Sequence, residues 1–157
     1  MTKYNKLHPE IVRDGSDRLS QERSMGITQL RYKVIQDDTA GRLLIIEQTM
    51  LHKGGPPRHK HLYQDEWFFS IQGEFILEIG TERFKLNTGD SVLAPQKVPH
   101  VWAYVGDEPG RILIAFTPAG KMQHFFDETA KSKSMPERDP VFWEEHGMEL
   151  LGPPLSV

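Results

Sequence analysis

Between Ile27 and Phe116 the sequence alternates short apolar runs with turn residues, and this pattern constrains the fold more than any other feature. The runs cover residues 27–36, 42–50, 66–71, 74–79, 83–86, 91–94, 100–105 and 111–116. Short strands joined by tight turns indicate an antiparallel sandwich or barrel. No segment in this range is long enough for the crossover helix of a parallel sheet. The pattern therefore predicts an all-β fold.

The chain divides into three parts. Residues 1–26 are rich in charge and poor in apolar periodicity, so we predict an N-terminal arm, either lying against another subunit or loosely attached. Residues 27–118 form the predicted β-barrel, and residues 119–157 form a C-terminal helical extension.

Two short helices are expected in the extension. The first follows from apolar residues at helical spacing, namely Met122, Phe125, Phe126 and Thr129 with Ala130. The second begins after Asp139, a good N-cap, with Pro140 in its first turn and Gly147 as its stop. Because Val141, Phe142 and Trp143 are strongly apolar, this segment is expected to pack on the barrel or on a partner.

Composition excludes several classes of function. The 157 residues carry 19 Lys+Arg against 22 Asp+Glu with the signs interspersed, so there is no basic footprint for nucleic acid. No apolar run approaches membrane-spanning length and the first ten residues do not resemble a signal peptide, so we expect a cytoplasmic protein that binds neither membrane nor nucleic acid. With no cysteine, any metal must be held by imidazoles and carboxylates.

Such a ligand set is present. His59 and His61 are two residues apart, so on a strand both imidazoles share one face. Glu66 opens the next apolar run, and His100 begins another. Three neutral imidazoles and one carboxylate suit Fe, Mn, Ni, Co or Zn as a divalent ion, with one or two positions left open. The remaining histidines have no such pattern, and we expect them at the surface or in the core: His8, His52, His124 and His146.

These residues resemble the two sequence motifs of the cupin superfamily. The first motif fits His59-Lys60-His61, Glu66 and Gly73, with four instead of five residues between Gly54 and His59. The second fits Gly89, Pro95 and His100, whereas Lys97 stands for a glycine and Tyr104 for an asparagine. The resemblance implies a double-stranded β-helix (jelly-roll) barrel, usually dimeric, with the metal in its mouth. The wider likeness is to single-domain, quercetin 2,3-dioxygenase-like cupins.

Strand alternation then predicts the surroundings of the metal. If the histidines face inward, Phe68 follows Glu66 inward, and Trp102 and Tyr104 share the face of His100. With Phe116 they would line a pocket for an aromatic or apolar small molecule, or they would simply fill the barrel. Trp67 and Phe69 would face outward, which favours a homodimer.

Two classes of function remain open. The first is a metal-dependent dioxygenase acting on a small aromatic or enolisable substrate, in which Glu66 also takes a substrate proton. The second is a non-catalytic metal-binding or small-ligand-binding module, or a sensor, and a metal-dependent isomerase or lyase lies between them. We favour an enzyme, because a purely structural barrel has no need of all four ligands.

Overall fold

The computed structural model describes residues 9–157, which fold into two antiparallel sheets with two short helices. The strands are β1 (Arg23–Met25), β2 (Thr28–Val34), β3 (Leu44–Met50), β4 (His59–His61), β5 (Asp65–Gln72), β6 (Phe75–Ile79), β7 (Glu82–Leu86), β8 (Ser91–Ala94), β9 (His100–Tyr104), β10 (Gly110–Thr117) and β11 (Met148–Leu150). The helices are α1 (Met122–Lys131) and α2 (Pro140–Glu145), and a 3₁₀ turn covers Gln36–Thr39.

The two sheets face each other as a jelly-roll barrel. One has the order β1-β2-β3-β10-β5-β8 and the other the order β11-β4-β9-β6-β7. Strands distant in sequence are therefore neighbours, and every pairing is antiparallel. The all-β antiparallel fold predicted from the alternating runs is confirmed, and so is the double-stranded β-helix that the cupin resemblance implies.

Strand alternation places the side chains as predicted. On β5 the odd-numbered aromatic residues Trp67 and Phe69 are only partly buried on the outer face, whereas Phe68 is fully buried inside. On β6 the residues Phe75, Leu77 and Ile79 face the core. The interior is thus filled by residues at every second position of each strand.

The N-terminal boundary differs from the predicted one. Strand β1 lies within the predicted arm and pairs with β2, so that Met25 stands opposite Thr28 across a two-residue turn. A boundary at residue 27 therefore falls inside a hairpin. Three residues are too few to show a period of two, which is why the sequence pattern missed this strand. The first part of the predicted arm, and His8 with it, lies outside the described residues.

The C-terminal extension forms both predicted helices and packs on the barrel. Helix α1 buries Met122, Phe125 and Phe126. Asp139 caps α2 by accepting a hydrogen bond from the Val141 amide, with Pro140 at the first helical position. After α2 the chain adds strand β11 to β4, an element that the sequence did not predict.

Neither helix among residues 9–157 is long and apolar enough to cross a membrane.

The outer face of the larger sheet carries the Trp67 and Phe69 rings, whose centroids are 5.7 Å apart. The homodimer that these two residues suggest stays a prediction.

Candidate metal centre

The first two ligand candidates lie on β4, the short strand at the barrel mouth. His59 and His61 point inward and are buried, while Lys60 between them points outward to an ion pair with Glu149. A strand of three residues is enough to place both imidazoles on one face, because side chains at i and i+2 lie on the same side. Strand β4 is held between β11 and β9.

Two neighbouring strands deliver the other ligand candidates. Glu66 is the second residue of β5, and His100 is the first residue of β9, directly opposite His59. Both are buried. Residues from three strands thus meet at one end of the barrel, as the sequence predicted.

The four side chains have the spacing of a first coordination shell. One ligand atom from each of His59, His61, Glu66 and His100 lies within 4.8 Å of the others. Glu66 Oε2 is 3.0 Å from His61 Nε2 and 2.7 Å from His100 Nε2. Two ligands that are each about 2.1 Å from one ion and at right angles are about 3 Å apart, so these distances fit a shared cation.

Three buried polar atoms support this fit. His61 Nε2, Glu66 Oε2 and His100 Nε2 make no hydrogen bond of suitable geometry to any residue in the range 9–157. Buried polar atoms without partners are rare in native proteins because they cost free energy. A divalent ion between them would satisfy all three atoms, so the residues present fit a metal.

The other ring nitrogen of each histidine has an acceptor, which fixes the orientation of the imidazole. Nδ1 of His59 lies 2.7 Å from the Pro57 carbonyl oxygen, and Nδ1 of His100 lies 3.3 Å from the Val98 carbonyl oxygen. In each case the acceptor favours the tautomer with the proton on Nδ1, which leaves the Nε2 lone pair facing the centre.

Gln64 does the same for His61 and was missed by the sequence analysis. Its Oε1 lies 3.1 Å from His61 Nδ1, and the side chain is buried. Its amide nitrogen lies against Gly120, where an added Cβ would come within 1.8 Å of it. No sequence signal marks Gln64, because the turn that brings it beside His61 has no period.

Electrostatics favour a neutral His59 and an ionised Glu66. Burial lowers the pKa of His59 well below its ordinary value, and His100 and His61 lower it further. Burial raises the pKa of Glu66, but the nearby imidazoles of His100 and His61 outweigh this effect, so the pKa of Glu66 lies below its ordinary value. These are the protonation states that metal ligands require.

A small, partly open cavity of about 40 Å³ is lined by three of the four ligand candidates, His59, His61 and Glu66. Of the predicted pocket residues, Trp102 and Phe116 line this cavity. Phe68 packs behind it, with its ring centroid 5.9 Å from that of His100. Tyr104 lies outside the cavity, because four residues of extended strand carry it about 13 Å along the barrel from His100. Its hydroxyl donates to the Glu108 carbonyl.

The extension and the first hairpin contribute to the lining of the cavity, which the sequence did not predict. Methionines from four different segments line it: Met25, Met122, Met135 and Met148. Trp143 of α2 also lines it and packs on the imidazole of His59, with ring centroids 5.0 Å apart.

Gln48 of β3 also lines the cavity and was not predicted from the sequence. A polar residue in the inward row of a strand, between Ile46 and Met50, was the available signal.

Two of the other histidines form a pair. His124 Nδ1 lies 2.7 Å from His146 Nε2, which joins α1 to the end of α2, and the rings are stacked. The sequence analysis expected no partner for either residue. His52 is exposed, as expected.

The motif position occupied by Lys97 keeps the backbone of a glycine. Lys97 has φ of +66° in the turn before β9, and its amide donates to the His61 carbonyl at 2.7 Å. A non-glycine residue in this region costs about 1–2 kcal/mol. The turn is therefore retained without the glycine, and it still ties β4 to the segment that leads to His100.

Comparisons with known proteins agree with this picture. Residues 46–116 match the family model Cupin_2, described as a cupin domain. An uncharacterized protein of Methanocaldococcus jannaschii, MJ1618, is 27% identical over 122 residues, which cover 74% of this chain and 85% of that protein.

Solved structures show the same fold. KdgF from Halomonas sp. has a TM-score of 0.59 at 17% identity, covering 70% of this chain and 94% of that one. An RmlC-like cupin from Shewanella frigidimarina has a TM-score of 0.58 at 17% identity, covering 75% and 96%. Residues 46–116 thus resemble a cupin domain, and the jelly-roll fold is the fold of these solved structures.

Proposed function

We propose that this chain is a metal-dependent dioxygenase of the quercetin 2,3-dioxygenase-like type, acting on a small aromatic or enolisable substrate. One observation carries the metal part of the proposal. Three buried atoms on His61, Glu66 and His100 have no hydrogen bond. Glu66 Oε2 is 3.0 Å from His61 Nε2 and 2.7 Å from His100 Nε2, which is the spacing of ligand atoms that share one cation. The apolar cavity beside them supports a small organic substrate.

The ligand residues prepare the site before any substrate arrives. The Nδ1 contacts of His59, His61 and His100 hold the three Nε2 atoms inward, so no reorganisation is needed at the moment of binding. Trp143 and Phe116 place apolar ring surface along the same space. A bound transition metal would supply Lewis-acid polarisation and redox chemistry there.

Glu66 is the one ligand candidate that can also move a proton. Its lowered pKa keeps the carboxylate ionised at neutral pH, ready to accept a proton from a substrate hydroxyl at Oε1 or Oε2. The same low pKa makes it a weak base, so the substrate hydroxyl must itself be acidic, as in an enol or a catechol. In a dioxygenation both atoms of O₂ enter the substrate and the proton returns to the product, so no external reductant is required.

Oxygen consumption tests the catalytic part. After reconstitution with Fe, Mn, Ni or Co, uptake of O₂ is expected with a flavonol, a catechol or a diketone. His61→Ala and Glu66→Ala should each reduce the rate at least 100-fold, because each removes one of four ligands. The exposed residues His52 and Glu82 provide matched controls, and His52→Ala and Glu82→Ala should retain the full rate.

A second candidate function has one observation in its favour. The cavity of only about 40 Å³ is lined by side chains of α1 and by Trp143, and such a small space suits a bound metal with a small ligand better than a large substrate. Tight ligand binding by the metal-loaded protein without O₂ uptake would contradict the dioxygenase and favour a binding module or sensor. Conversion of substrate in the absence of O₂ would favour an isomerase or lyase.

Metal binding should weaken on acidification. A proton on any of the three imidazoles opposes coordination, and free histidine titrates near pH 6.5, so bound metal is expected to fall between pH 7.5 and pH 5. Burial lowers the pKa of His59, so this residue accepts a proton at a lower pH than a free histidine does. Equal metal content after dialysis at pH 7.5 and pH 5 would contradict the expectation.

The metal-free protein should also lose stability on acidification, for a separate reason. Once unfolded, the chain protonates His59 at the ordinary pKa, whereas the folded chain resists protonation, so the free energy of unfolding falls as the pH drops below about 6.5. Glu66, whose pKa is also lowered by folding, adds to this loss below its ordinary pKa. Urea unfolding of the metal-free protein at several pH values separates this effect from metal release.

A further inference from the structure

No hydrogen bond among the described residues gives Gln48 a structural role. Its side chain is largely buried, with a relative exposure of 6%, and its amide makes no hydrogen bond to a residue in the range 9–157. The amide is not among the fully buried polar atoms, because Gln48 lines the open space of the cavity. Its inward neighbours on the adjacent strands, Leu30 and Ile112, are apolar and fully buried. A buried amide without a partner costs free energy, so its presence needs an explanation.

The amide lies where a ligand would meet it. Gln48 lines the same cavity as the metal-ligand candidates His59, His61 and Glu66. The only other uncharged polar side chain there is Thr28 among the described residues, and its hydroxyl already donates to a main-chain carbonyl of β3. Gln48 is therefore the one lining side chain outside the metal cluster that can offer a free donor and a free acceptor.

The charge of the lining restricts the ligand. No lysine or arginine lines the cavity among residues 9–157. Arg58, which follows Pro57 at the mouth, is instead bound to Glu78, which also pairs with Arg83. An anion such as a dicarboxylate would thus find only the metal to balance its charge, in otherwise apolar surroundings.

The lining also explains how a molecule larger than the cavity can enter. Four of the six methionines of the chain surround this space, and they come from β1, α1, β11 and the segment before α2. Methionine is unbranched and flexible, so its side chain can move aside at small cost. We therefore expect the cavity to widen at its methionine side chains when an apolar ligand binds.

We propose that Gln48 is a substrate-binding residue whose amide donates a hydrogen bond to one of the metal-facing oxygen atoms of an uncharged, mainly apolar chelating ligand, through the lone pair that the metal would not use. The inference rests on the proposed metal site and adds to it the class of substrate and the residue that orients it.

Two probes of the same carbon skeleton test the class of ligand. In 2,4-pentanedione two methyl groups take the place of the two outer oxygens of malonate, so the pair differs mainly in charge. Zinc-loaded protein is used because zinc has no redox chemistry, and binding is then measured without turnover. Calorimetry measures the affinity of each probe for the zinc-loaded protein, and this affinity is divided by the probe's affinity for zinc in water. The ratio is expected to be at least tenfold higher for pentanedione than for malonate.

Gln48→Leu tests the residue, and Gln29→Leu on the exposed face of β2 is the matched control. Gln48→Leu should weaken pentanedione binding at least fivefold with unchanged zinc content, because one hydrogen bond is lost. Because it removes an unpaired buried amide, it should also raise the Tm of the metal-free protein by about 2–4 °C. Gln29→Leu should alter neither affinity nor zinc content.

The outcomes separate this inference from the proposed function. Zinc-loaded protein that binds malonate as well as pentanedione overturns the ligand class alone. Unchanged pentanedione affinity in Gln48→Leu, or a lower Tm, shows that Gln48 is structural and overturns its role. A protein that takes up no divalent metal overturns both this inference and the proposed function.

Discussion

His61→Ala is expected to abolish tight metal binding. The variant removes one of four ligand candidates and leaves Gln64 Oε1 without its partner, so the site loses both a ligand and a contact that orients it. Loss of an outer contact alone typically costs 10–100-fold in metal affinity, so we expect a loss of more than about 100-fold. Metal content after gel filtration in a metal-free buffer measures it, with His52→Ala as the control.

The same variant should lose the stabilisation that metal gives the wild-type protein. A ligand that binds only the folded state adds about 4 kcal/mol to the free energy of unfolding at 1,000 times its dissociation constant. The wild-type Tm should rise with added metal, while that of His61→Ala should stay constant. A variant that still gains stability from one equivalent of metal would show that the cluster is not the binding site.

Trp143→Ala should be the most destabilising single change in the C-terminal extension. Its side chain is 1% exposed, its indole nitrogen donates to the Glu137 carbonyl at 2.7 Å, and its ring packs on Phe125 and His59. Truncation leaves a large void and an unpaired carbonyl, and buried tryptophan to alanine changes cost about 3–5 kcal/mol. Urea unfolding measures the change in free energy.

Trp67→Ala is the matched control for this prediction, since Trp67 lies partly buried on the outer face of β5. It should cost clearly less than Trp143→Ala and leave metal affinity unchanged. If the two variants are equally stable, the extension does not pack on the barrel as described. Trp143→Ala should in addition weaken metal binding, because the ring that supports His59 is gone.

The sequence was informative wherever local geometry decides the outcome. A period of two placed Glu66 and Phe68 inside and Trp67 outside, and the spacing of His59 and His61 put both on one face. Asp139 and Pro140 marked the start of α2 because capping depends on neighbouring residues alone. These features need no knowledge of the rest of the chain.

The sequence did not predict the contacts between segments that are far apart in the chain. Nothing local to Met148–Leu150 indicates that this strand pairs with β4, and nothing local to Met25 or Met135 places either beside the metal cluster. Tyr104 was expected in the pocket because it shares a face with His100, but sharing a face does not fix the height along the barrel. Depth in the barrel depends on the tilt and stagger of all the strands together.

The pairing of β11 with β4 has a consequence for the order of events during folding. Strand β4 carries two ligand candidates but meets β9 at a single residue pair, whereas it meets β11 at three. Pairing β4 with β11 closes a loop that runs from His61 to Met148. Closing so long a loop is entropically costly, so this pairing tends to form late in folding. We therefore expect that a divalent ion would bind only after the barrel has assembled, so the metal would not assist the earlier steps of folding.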